Sequence, residues 1–98
     1  MAITKQYLKS KPICKITFNI SAEAENLAVV GDFNNWDSAA TPLKKLKNGS
    51  FKGQINLDKD QSYEFKYIAN GEHYFNDEQA DSYRYNDYAG SENGVLNL

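Results

Sequence analysis

Trp36, the only tryptophan in the chain, closes the run Gly31-Asp32-Phe33-Asn34-Asn35-Trp36. The apolar stretch Leu27-Ala28-Val29-Val30 just before it reads as a strand, and Asp37-Ser38-Ala39-Ala40-Thr41-Pro42 after it reads as a loop. A large flat ring at such a junction is placed to meet a ligand. The competing reading is a tryptophan that plugs one end of a core, since tryptophan is highly though rarely fully buried on average. The other chemistry-bearing residues form no catalytic set. Neither a Ser-His-Asp nor a Cys-His constellation can be placed, so no catalytic residue is expected. His73 reads as a hairpin surface residue rather than a base. Asp77, Glu78, Asp81 and Asp87 lack calcium-loop spacing, so neither a metal nor a cofactor is expected. Cys14, the only cysteine, is in phase with Ile16, Phe18 and Ile20 and reads as a small core hydrophobe.

The elements that must position the tryptophan read as strands. Residues 1–10 are polar and irregular, an expected flexible N-terminal arm. Cys14 to Ile20 alternates apolar and polar, as a half-buried strand does. Leu27 to Gly31 is apolar on both faces and is placed centrally. Leu43 to Leu46 and Phe51 to Leu57 flank Asn48-Gly49, a tight-hairpin signal in which both central positions favour positive φ. In Tyr63 to Ala69, one face carries Tyr63, Phe65, Tyr67 and Ala69. Glu64, Lys66 and Ile68 share the other face, which is expected to be open to ligand. Asn70-Gly71 is a second hairpin signal, with His73 to Phe75 returning. Residues 76–93 read as a long ordered loop with any strand short. In it, Tyr83, Tyr85 and Tyr88 either pack the loop down, the favoured reading, or extend a ligand platform. Val95 to Leu98 reads as a final edge strand. The fold class is all-β, an immunoglobulin-like β-sandwich of about 6–8 antiparallel strands. One domain is expected over 11–98.

Size and charge agree with that reading. Ninety-eight residues suffice for one core without metals or disulfides. Seven Tyr and five Phe favour strands over helices. Net charge is −2, so there is no nucleic-acid footprint. Residues 1–49 carry seven Lys against four acids, net +3, and residues 50–98 carry four Lys/Arg against nine acids, net −5. No block of like charges is present, so these read as solvated faces. Neither a signal-peptide pattern nor a membrane-spanning stretch is found, and a cytoplasmic location with no membrane partner is the expectation.

Two segments together resemble a known family. Val29-Val30-Gly31-Asp32-Phe33-Asn34-Asn35-Trp36, followed by Tyr63-Glu64-Phe65-Lys66-Tyr67-Ile68-Ala69-Asn70-Gly71, is similar to the glycogen-binding early-set β-sandwich, carbohydrate-binding module family 48. That module precedes the catalytic barrel of branching enzymes and isoamylases. It also forms the glycogen-binding domain of the AMP-activated protein kinase β subunit. The resemblance runs from about Cys14 to Leu98. It implies that Trp36 stacks on glucose and that Lys66 hydrogen-bonds sugar hydroxyls. It implies a second stacking aromatic at His73 or Tyr74, where this chain has no tryptophan. A sugar-binding asparagine falls at Asn93, and Ser91 stands where the family often has threonine. The leucine that projects into the sugar falls near Ala89, too short for that role. Asn76-Asp77 resembles the family's Asn-Asp-Pro, with Glu78 in place of the proline.

These residue types suit a glucan. Its pyranose faces are C–H patches that match a flat ring, and an aromatic contact adds roughly 0.5–1.5 kcal/mol beyond area burial. Its rim of hydroxyls matches the three donors of a lysine and the donor–acceptor pair of an asparagine. The implied function is a non-catalytic α-glucan-binding module, partnered by an α-glucan polysaccharide or oligosaccharide and by a glycogen-metabolism enzyme in trans. The alternative is a protein-interaction or regulatory domain that kept the sandwich and lost the sugar site, with the Val95–Leu98 edge free to pair. Such a domain would still look branching-enzyme-like by similarity. No enzyme activity is expected of these residues, because the family's chemistry sits in a separate barrel of about 250 residues.

Overall fold

A computed structural model describes residues 3–87 and 90–98. Nine strands occur among them, in chain order β1 (Ile3–Tyr7), β2 (Ile13–Ser21), β3 (Leu27–Gly31), β4 (Pro42–Lys45), β5 (Ser50–Asp58), β6 (Ser62–Ala69), β7 (His73–Phe75), β8 (Ser82–Asn86) and β9 (Ser91–Asn97). The sole helical element among the described residues is one 3-10 turn, Asp32–Asn34, between β3 and Trp36. The strand order is β1-β2-β5-β4-β3-β6-β9-β8, every pair is antiparallel, and β7 pairs with β6. The short β4 bonds to β3 on one side and β5 on the other, so one curled sheet makes both layers. The fold class is all-β and immunoglobulin-like, as the alternation indicates.

The core lies where the two layers meet. Ile16, Phe18, Phe51 and Leu57 from β2 and β5 pack against Val29, Phe65, Tyr67 and Leu96 from β3, β6 and β9. Phe18 joins the layers through ring contacts of 6.0 Å to both Phe65 and Tyr67. Cys14 is fully buried beside them, and burial pushes its thiol pKa up. All five residues of β3 are buried, because it lies between β4 and β6 and carries apolar side chains on both faces.

Four expectations are corrected. Residues 3–7 are not irregular. They pair with β2, Ile3 enters the core, and the Lys5 ammonium bonds the Asp81 carboxylate and, at 3.1 Å, the Asn97 carbonyl. Polar Thr4, Lys5 and Gln6 hide the strand's single buried anchor from a pattern search. The stretch 76–93 contains β8, whose Ser-Tyr-Arg-Tyr-Asn is polar and mostly exposed on both faces. The final strand begins at Ser91 and is no edge, since β6 and β8 flank it. At Asn48-Gly49 only the glycine has positive φ. The Gly49 N–H bonds the Leu46 carbonyl, giving a three-residue loop with a left-handed third residue. The Asn48 side chain instead accepts from the Ser50 N–H and hydroxyl. The Asn70-Gly71 turn does have positive φ at both positions, 53° and 73°.

Candidate functional site

The outward face of the β3-β6-β9-β8 layer carries most of the candidates. Strand alternation puts Ala28 and Val30 of β3 on this face, with Glu64, Lys66 and Ile68 of β6. The register pairs Ala28 with Ile68 and Val30 with Lys66. Ala28, Val30 and Ile68 form a small apolar cluster against which the half-buried Trp36 packs. Ile68 is therefore covered rather than open to ligand, which corrects the expectation for that face. Its partner across β7 is Tyr74, 58% exposed, so Tyr74 stands on the far side of Ile68 from β3. His73 pairs with Ala69 and so belongs to the opposite face; its ring lies 3.8 Å from the Glu72 carboxylate in open solvent.

The motif around Trp36 folds as a hydrogen-bonded knot. The Asn34 side chain accepts the Gly31 N–H at 3.0 Å and donates to the Val29 carbonyl and the Thr41 hydroxyl, both at 3.0 Å. Asn35 and Trp36 are both left-handed, with φ of 57° and 58°, and the Trp36 N–H bonds back to the Gly31 carbonyl. Asp32 then ties the ring down. One carboxylate oxygen accepts the indole N–H at 3.2 Å, and the other accepts the Glu64 backbone N–H at 2.9 Å. Asp32 and Asn34 thus hold the ring at the strand end.

The C-terminal candidates sit on β9. Asn93 is only 2% exposed, and its amide donates to a Glu64 carboxylate oxygen at 3.1 Å. The other Glu64 oxygen accepts from the Arg84 guanidinium at 3.3 Å. Ser91 pairs with Asn86 at the start of β9 and is half-buried. Sequence reasoning missed Asp32, Arg84 and the partnership of Glu64 with Asn93. Asp32 lies inside the motif already singled out, and Arg84 is the chain's only arginine. Tyr83 packs the loop down through its hydroxyl on the Asp77 carbonyl, as expected, whereas Tyr85 is exposed. Tyr88 and Ala89 lie outside the described residues. No helix among the described residues is long and apolar enough to cross a membrane.

The half-buried Trp36 and the strand that carries Lys66 thus share one face of an all-β, immunoglobulin-like sandwich. The comparison with protein families is specific: the model for carbohydrate-binding module 48 (isoamylase N-terminal domain) matches residues 11–89, and the chain belongs to that family. No curated protein matches the chain.

Proposed function

We propose that the protein is a non-catalytic α-glucan-binding module with residues 11–98 as its binding unit. Trp36 is the main stacking ring, Lys66 the hydroxyl donor and Ser91 the polar contributor at the start of β9, while the buried Asn93 acts through its bond to Glu64 rather than on the sugar itself. Tyr74 is the second ring rather than His73, because its register position adjoins Ile68, the residue on which Trp36 rests. The single observation that carries this reading is that Trp36 covers Ala28, Val30 and Ile68 yet keeps part of its ring in solvent, on the face that Lys66 shares. A site with one large ring on an open sheet face binds weakly, with a dissociation constant near ~1 mM, or about −4 kcal/mol. Multiple contacts strengthen binding to longer or branched glucans. The module acts in the cytoplasm beside a glycogen-metabolism enzyme supplied in trans.

A protein-interaction role has no free edge at Val95, which already pairs with Ser82 of β8. The test is a native gel containing glycogen or amylopectin, run beside Trp36→Ala. Retardation of wild type and its loss in the variant are expected. An unretarded wild type, or equal retardation of both, rejects the reading.

A further inference from the structure

Resting on the glucan-binding reading, we infer that the binding face continues across β9 to Arg84 of β8, where the guanidinium is a second hydroxyl-reading subsite for a longer glucan chain. The argument begins with register. Val30 pairs with Lys66, and Asn93 pairs with Arg84. Phe65 pairs with Gly94, so Lys66 and Asn93 stand one step further along the same two strands. Val30, Lys66, Asn93 and Arg84 therefore form one row running across the strands on the outward face. Trp36 packs on Val30 at one end, and Arg84 stands at the other. At strand spacings of roughly 4.8 Å the row spans about 14 Å, long enough for more than one sugar ring.

Burial then decides which group on the far part of the row can reach a ligand. Asn93 is 2% exposed and its amide is already committed to Glu64. Arg84, its register partner, has a side chain 62% exposed, and Glu64 fixes it from below with a carboxylate whose own side chain is 19% exposed. A guanidinium carries five N–H donors and no acceptor, and the Glu64 contact at 3.3 Å engages NH1, with Glu64 its one side-chain partner among the described residues. The remaining donors match the oxygen lone pairs of adjacent sugar hydroxyls. Glu64 offsets the charge, so the subsite suits a neutral glucan rather than an anionic one. Lys66 serves the ring nearest Trp36, and Arg84 serves a ring further along the chain.

The test compares a short and a long ligand on the full chain. Maltotriose and maltoheptaose are titrated calorimetrically into wild type and Arg84→Ala, with Arg84→Lys as the variant that keeps the charge but loses the planar fork. Arg84→Ala is expected to weaken maltoheptaose about tenfold and to change maltotriose by less than about twofold, with Arg84→Lys between. An exposed ion pair that only stabilises the fold would move the thermal midpoint and leave the length dependence alone. Equal loss for both sugars, or no loss for either, overturns the subsite while the Trp36 site stands. A wild type that binds neither sugar overturns the glucan reading itself, and the subsite with it.

Discussion

Trp36 and Asp32 are joined by a 3.2 Å hydrogen bond from the indole N–H to one carboxylate oxygen, and the same carboxylate anchors the Glu64 backbone at 2.9 Å. One side chain thereby sets the plane of the ring relative to the strand that carries Lys66. The left-handed φ of Trp36, 58°, is uncommon for a bulky residue. Such backbone costs of order 1–3 kcal/mol and persists only where its surroundings over-determine it. Here the Asn34 bonds, the Trp36-to-Gly31 backbone bond and Asp32 supply that constraint.

Asp32→Ala should therefore free the ring. As the only tryptophan, Trp36 reports on itself: its fluorescence anisotropy should fall and its quenching by acrylamide should rise. Asp32→Asn keeps an acceptor for the indole and should recover part of the effect. The lost bond to the Glu64 N–H should cost about 1 kcal/mol of stability in both variants. An unchanged anisotropy in Asp32→Ala would mean that packing on Ala28, Val30 and Ile68 alone orients the ring.

Gly31 is needed for space, not for backbone freedom, since its φ of −178° is extended. A Cβ there would lie 2.5 Å from the Glu64 carbonyl oxygen and 2.8 Å from the Phe33 ring. Gly31→Ala should destabilise by about 1–3 kcal/mol, as overpacking does, and should shift the Trp36 emission because β3 and β6 are forced apart beside the ring. Urea unfolding followed by that emission checks both.

The Tyr67 hydroxyl donates to the Asp77 carboxylate at 2.6 Å within the core. Burial first, and then the carboxylate, drive the Tyr67 pKa far above its ordinary value. An unfolded tyrosine titrates near ~10, so above that pH the unfolded chain loses a proton that the folded chain keeps. The stabilisation is thus fully present below about pH 10 and is lost as pH rises further. Tyr67→Phe should cost about 1–3 kcal/mol at neutral pH by stranding a buried carboxylate oxygen. Its stability should decline less steeply than that of wild type above about pH 10. Chemical unfolding at neutral and alkaline pH separates the two effects.

Deletion of residues 1–8 tests whether the N-terminal segment belongs to the fold. Ile3 is in the core cluster, and Lys5 reaches across to Asp81 and Asn97. Removing both should cost at least about 2 kcal/mol, the lower range for emptying a buried aliphatic site. A thermal midpoint equal to that of wild type would return the segment to the status of a free arm.

Strands with a buried face were legible in the sequence; strands held by backbone pairing were not. Phe51, Ile55 and Leu57 of β5 and Phe65 and Tyr67 of β6 advertise their inward face by alternation. Thr4, Lys5 and Gln6 of β1, and Ser82, Arg84 and Asn86 of β8, offer no apolar period to read. The same limit applies to the candidate site. Trp36 stands out as a lone ring, but the link from Asp32 to Glu64 joins residues 32 apart in sequence, and no local pattern encodes it. The choice between Tyr74 and His73 needed the register of the β6–β7 hairpin, which pairs Ile68 with Tyr74 and Ala69 with His73.

The most direct measurement of the central claim is a maltoheptaose titration followed by nuclear magnetic resonance, watching the single indole N–H signal of Trp36. A saturable shift of that signal is expected, with Lys66 and Tyr74 moving alongside and His73 unmoved. Saturable binding that leaves the Trp36 signal in place, or no binding at all, would contradict the assignment of Trp36 as the sugar-stacking ring.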